Sequence, residues 1–158
     1  MPVLRYSSVA LFLALAACGK SAADYQQEAQ AALDAGDATK ALQLSAEGLK
    51  TAGDDKAVAW RLEQVHIQGL ARDKKGAELP AELDRLKAAY PAQVTAQFYK
   101  KLADDLATAG DKDGQLAVLD AGAKGFPADA TFAKAIDELK SAATSPEDVE
   151  RLKALGYL

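Results

Sequence analysis

Three Gly-Asp dipeptides, Gly36-Asp37, Gly53-Asp54 and Gly110-Asp111, divide the chain into stretches, the second of them one helix long and the later ones several. Within each stretch the apolar residues recur at i, i+3 and i+4, the spacing that gives a helix one buried face. Glycine tolerates the left-handed backbone that ends a helix, and Gly-Asp is a turn signal. A turn of so few residues obliges two successive helices to fold back on one another. Ala, Leu, Lys, Glu, Asp and Gln dominate, and period-two runs of Val, Ile, Thr and aromatic residues are absent, so no strand is expected.

The expected fold class is therefore all-α. Tyr25, Ala29, Ala32 and Leu33 mark a first helix that stops at Gly36-Asp37, and Ala41, Leu42, Leu44, Ser45, Gly48 and Leu49 form the buried stripe of a second. A third runs from about Ala57 to Arg72 on Trp60, Leu62, Val65, Ile67 and Leu70. After a turn over Asp73 to Gly76, its partner carries Leu79, Leu83, Leu86 and Tyr90 and ends at Pro91. A helix from about Val94 to Ala109 is followed by one with Leu116, Val118 and Leu119, which stops at Gly125-Phe126-Pro127. Between Asp129 and Lys140, Phe132, Ala135, Ile136 and Leu139 share the face of a helix suited to closing the open end of a stack. Ser145-Pro146-Glu147-Asp148 then combines an N-cap hydroxyl, a first-position proline and first-turn acids, and Val149, Leu152 and Leu155 follow at residues 145–158. This last helix either caps the stack or carries a docking element.

The segment before residue 18 has a different plan. Arg5 is its only charge, Ser7 to Leu15 is a short apolar run, and Leu15-Ala16-Ala17-Cys18 closes it with small residues. The run is shorter than the roughly 20 apolar residues a spanning helix needs. Residues 1–17 are read as a cleaved signal peptide, and residues 18–24 as a tether. Leu-Ala-Ala-Cys resembles the lipobox of bacterial lipoproteins, which implies that Cys18 is acylated and becomes the mature amino terminus. Two or more acyl chains give a stable anchor where one is marginal. The other reading is an ordinary secretory signal with an incidental cysteine. Gly19 after the cysteine, rather than Asp, resembles the pattern of lipoproteins forwarded to the outer membrane.

From Cys18 onward, 18 Lys and Arg stand against 23 Asp and Glu. That excess of acid argues against a nucleic-acid partner, which calls for a cationic stripe. Cys18 is the single cysteine, so no thiol remains for a disulfide or a metal once it is acylated.

Residues 22–55 and 96–129, offset by 74, share 10 identities in 34 positions. Ala22, Tyr25, Ala29, Ala35, Gly36, Asp37, Leu42, Gly48, Lys50 and Asp55 meet Ala96, Tyr99, Ala103, Ala109, Gly110, Asp111, Leu116, Gly122, Lys124 and Asp129. The matches fall on turns, an aromatic and small packing positions, where a helical hairpin is most constrained. In this respect the chain resembles the tetratricopeptide repeat, a 34-residue helical hairpin, over roughly Ala22 to Phe132. Tyr25, Ala29, Gly36, Ala41, Gly48 and Gly53 follow the repeat's spacing, as do Tyr99, Ala103, Gly110, Gly122 and Pro127. Gln115 stands where the family has a small residue, no copy has the family's Leu-Gly pair, and the middle copy from Trp60 to Pro91 lacks a turn glycine in register. The resemblance implies a short α-solenoid of about three hairpins over residues 22–140 with C-terminal capping helices. A generic bundle of hairpins is the other reading.

Chemistry-bearing residues are few. His66 is the only histidine, and it lies between Val65 and Ile67 with no second histidine or free cysteine to share a metal. Asp54-Asp55 and Asp104-Asp105 read as solvated charge, and no phosphate loop, nucleophile elbow or His-Glu metal signature occurs. Neither catalysis nor a cofactor or metal is expected. Outward positions of the first helix of each pair line the groove of tetratricopeptide arrays, so the resemblance implies Gln26, Gln27 and Gln30, then Arg61, Val65 and Gln68, then Lys100, Lys101 and Asp104 as partner-binding residues. The expectation is a lipid-anchored adaptor of the outer membrane, facing the periplasm and binding an envelope protein. A lipoprotein carrier of a small or lipidic ligand is the alternative, and a hydrolase using His66 is a third.

Overall fold

A computed structural model describes residues 19–158, and over them the chain is all-α. Its helices are α1 (Ala22–Asp34), α2 (Ala38–Thr51), α3 (Lys56–Arg72), α4 (Leu79–Ala89), α5 (Ala96–Ala109), α6 (Lys112–Gly125), α7 (Ala130–Ala142) and α8 (Pro146–Ala154), with a 3-10 turn at Gly76–Glu78 before α4. Cys18 and the signal segment lie outside the described residues. No described helix is long and apolar enough to cross a membrane.

Helices α1 and α2, and likewise α5 and α6, pair as hairpins, while α1, α3 and α5 pack side by side as a layer. Helix α6 is also packed against α4 and α7. The residues matched by the 74-residue offset do the same work in both copies. Gly36 and Gly110 have φ of +81° and +74°, the left-handed backbone that turns the chain after α1 and α5. Asp37 accepts from Lys40 N at 3.0 Å, and Asp111 from Gly114 N at 2.9 Å, each capping the second helix of its pair. Asp55 caps α3 through Ala57 N and Val58 N, and Asp129 caps α7 through Thr131 N. Gly48 and Gly122 both lie against a large side chain of the next helix, Leu62 in one case and Phe132 in the other.

The middle hairpin is built differently. Where the outer two have a glycine, Lys74 adopts the left-handed backbone, at φ +56°. The 3-10 turn brings Gly76 onto Gly114 of α6 so closely that a Cβ on Gly76 would sit 2.3 Å from the Gly114 Cα. Asp111 fastens this crossing, because its carboxylate accepts from Gly76 N as well as from Gly114 N. The small residue at this crossing is thus Gly114, while Gln115 beside it is half-buried.

Most of the core is one cluster running from α3 to α8, with Leu79, Leu83, Leu86, Tyr99, Leu106, Val118 and Phe132 all but inaccessible. A smaller cluster joins Ala29, Ala32 and Leu33 of α1 to Ala41 and Val65. Glu63 is the one charged residue buried within these faces. Its two carboxylate oxygens accept from Arg85 Nη1 and Nη2 at 2.9 and 2.7 Å. Helix α8 lies across α6, with Leu152 buried, Lys112 paired to Asp148, Arg151 paired to Asp113, and the Tyr157 hydroxyl donating to Asp120 at 2.7 Å.

Three boundaries differ from the sequence reading. Helix α1 begins at Ala22, inside the expected tether, because Ser21 and Asp24 form a reciprocal capping box. Helix α5 begins at Ala96 behind the Thr95 cap, leaving Val94 buried in the preceding turn. Leu155, expected on the apolar face of the last helix, is 41% exposed at its end.

Candidate functional site

The layer of α1, α3 and α5 carries the residues expected to meet a partner, and the structure divides them into three groups. Gln27, Arg61, Lys101 and Asp104 are exposed, while Gln26, Gln30 and Gln68 are half-buried. Gln30 Nε2 donates to Asp34 at 2.9 Å, within its own helix. Val65 is corrected outright. It is 2% exposed and belongs to the cluster with Ala29, Leu33 and Ala41, so it faces the interior and lines no groove. Lys100 is drawn away as well, because its Nζ donates to Asp129 at 3.0 Å and to Thr131 Oγ1 at 2.7 Å and lies over the Phe132 ring. It ties α5 to the start of α7, where the Thr131 hydroxyl and then Lys100 hold the Asp129 carboxyl down at about 2.

What the layer does form is a cleft of about 70 Å³ between α3 and α5, lined by Gln64, Ile67, Gln68, Phe98, Lys101, Leu102 and Asp105. Arg61, Gln64 and Gln68 are spaced i, i+3, i+7 on one helix, and Phe98, Lys101 and Asp105 repeat that spacing on the other. Polar side chains therefore edge both sides of an apolar floor of Ile67, Leu102 and the Phe98 ring. Among the described residues Gln64, Gln68, Lys101 and Asp105 make no side-chain hydrogen bond, so their donors and acceptors are available to a ligand. The sequence singled out Gln68 and Lys101 here and missed Gln64, Phe98 and Asp105.

At the end of the same layer, where α3 and α5 begin and α4 stops, lies an open aromatic hollow of about 610 Å³. Trp60 is its centre, with its ring 5.1 Å from Tyr90 and 5.7 Å from Phe98, tilted 45° to each. Lys56 and Arg61 stand beside it, together with the turn from Pro91 to Gln93, and no acidic residue lines it.

His66 is half-buried, with Nδ1 3.0 Å from Ser45 Oγ. A serine beside a histidine is the start of a nucleophile pair, but this serine is inaccessible and its hydroxyl donates to the Leu42 carbonyl at 3.0 Å. The pair therefore reads as an interhelical hydrogen bond between α2 and α3. Among the described residues no group of three or more His, Cys, Asp or Glu side chains is placed to hold a metal ion. The apolar cleft between α6, α7 and α8, lined by Leu116, Leu139 and Leu152, has about 100 Å³, well below the roughly 300–1,000 Å³ of small-molecule sites.

No protein-family model matches the chain, and neither the curated proteins nor the solved structures give a match.

Proposed function

We propose that the chain is a lipid-anchored adaptor of the bacterial envelope, similar in plan to tetratricopeptide lipoproteins, that binds a segment of a protein partner along the cleft between α3 and α5. The observation that carries this reading is the polar edging on both sides of that cleft, whose amides and charges have no partner within the described chain. Side-chain amides offer both donors and acceptors to a peptide backbone, and Lys101 and Asp105 offer one charge of each sign. Ile67, Leu102 and the Phe98 ring supply an apolar floor for a side chain. Acylation of Cys18 sets the location, and Gly19 after it favours the outer membrane with the domain facing the periplasm. The small apolar cleft under α8 gives no support to the alternative of a lipidic carrier.

The test is affinity capture from detergent-solubilised envelopes with the acylated protein as bait, beside a Gln64→Ala/Lys101→Glu variant and a Lys100→Ala control. A partner lost with the first variant and kept with the second supports the cleft. A partner kept by both baits sinks it. Mass spectrometry of the mature amino terminus tests the anchor separately, since diacylglycerol on Cys18 adds a mass that an ordinary secretory cleavage does not.

A further inference from the structure

We infer that the Trp60 hollow is a second contact with the membrane, docking on the headgroups of anionic phospholipids in the bilayer that holds Cys18; this rests on the anchor proposed above. Three residues, Gly19 to Ser21, separate Cys18 from the first residue of α1. Each residue of extended chain spans at most about 3.6 Å, so the start of α1 stays within roughly 14 Å of the Cys18 backbone. The hollow is at the same edge of the helix layer. A Cβ on Gly48 would lie 2.8 Å from Tyr25 Cβ and 2.7 Å from Leu62 Cδ2, which places the first turn of α1 and the second turn of α3 on either side of one glycine. Trp60 and Arg61 immediately precede Leu62.

The chemistry of the hollow is that of a membrane interface. Trp60 and Tyr90 are half-buried rings with a polar edge, the side chains that settle at headgroup depth. Lys56 and Arg61 are exposed, and among the described residues neither makes an ion pair or a side-chain hydrogen bond. The hollow thus has two cations and no acid in its lining, on a chain with an overall excess of acid, and an anionic surface attracts each such cation. Asp55, next to Lys56 in the chain, has its carboxylate on the N–H groups of Ala57 and Val58, Asp54 lies in the exposed turn before it, and Glu63, two residues from Arg61, is buried on Arg85.

Trp60 is the only tryptophan, so its fluorescence reports the hollow without a label. The acylated protein is reconstituted into vesicles of phosphatidylcholine alone, or of phosphatidylcholine with phosphatidylglycerol, with brominated acyl chains as quencher. The lipid anchor holds the protein in both, so a difference between them reads docking rather than attachment. Docking predicts a blue shift and quenching of Trp60 in the anionic vesicles, reversal at high salt, and loss in a Lys56→Glu/Arg61→Glu variant whose helical circular dichroism is unchanged. Emission that is the same in both vesicles and indifferent to salt overturns the inference while leaving the anchor intact. A Trp60 that responds only when envelope proteins are added assigns the hollow to a protein and overturns it too. A mature amino terminus without diacylglycerol removes the anchor, and this inference with it.

Discussion

Arg85 of α4 holds Glu63 of α3 by two parallel hydrogen bonds, and Glu63 is 5% exposed, so the guanidinium supplies nearly all the polar contact that this buried carboxylate has. Glu82 adds a third bond to the same Arg85, and Glu63 first, then Glu82, keep the guanidinium charged. Taking away one partner of a buried pair strands the other charge. Arg85→Ala should therefore lower stability by about 3 kcal/mol, at the low end of the usual range because Arg85 itself is half in solvent. Replacing both residues by leucine should recover most of that loss. Urea unfolding of the two variants checks the contrast, and equal losses in both would show that packing, not the stranded charge, sets the cost.

Gly76 and Gly114 meet backbone to backbone, and a methyl group on either has no room, since the Gly114 Cα or the Asp111 carboxylate already occupies its place. Gly114→Ala should cost about 2–3 kcal/mol through overpacking, despite the better helix propensity of alanine. The same change at Gly36, where a Cβ meets nothing but φ is +81°, should cost about 1 kcal/mol from backbone strain alone. Thermal melts of the two variants should rank in that order.

Lys74 is the one described non-glycine residue with a left-handed backbone. Its side chain is exposed, so glycine there removes the Cβ clash without removing packing. Lys74→Gly should raise stability by about 0.5 kcal/mol, the strain relief less the extra freedom glycine gives the unfolded chain. A fall in the denaturation midpoint would mean that the left-handed turn is not what the middle hairpin uses.

The Tyr157 hydroxyl, pushed up to about 12 by burial and by Asp120, links the C-terminal tail to alkaline pH. A tyrosine whose folded pKa is raised stabilises the fold fully below the ordinary value near ~10, and that contribution is lost as pH climbs toward the folded value. Between pH ~10 and about 12 the tail and α8 should loosen from α6, and Tyr157→Phe should remove that pH dependence. Amide exchange of α8 measured across this window decides it.

The parts of the fold legible in the sequence are those where one residue type answers a local backbone demand. Gly36 and Gly110 are needed at positive φ, and Asp37 and Asp111 at the bare helix starts that follow, so they recur in both copies and mark the turn of each outer hairpin, whereas Asp55, read with Asp54 as solvated charge, in fact caps α3. The cleft was legible only in part, because a shift of one residue along a helix turns a side chain by about 100°. Lys100 or Lys101 faces the cleft according to where α7 brings Asp129 and Thr131, and the local sequence of α5 holds no trace of that. Val65 was misplaced for a related reason: α3 is covered by α1, α2 and α5, so its buried arc is wider than that of a helix packed on one side. Glu63 was missed because apolar periodicity does not register a charge that is buried beside its counterion.

On the proposed anchor, the three residues between Cys18 and α1 would govern how a partner is found. If Cys18 is acylated as proposed, the domain would sweep a disc of membrane rather than a volume of periplasm, and occupancy of the cleft would follow the areal density of a partner in that leaflet. A weak cleft then suffices for a neighbour in the same membrane, while a segment from elsewhere has to be carried down to the lipid surface before it can be held.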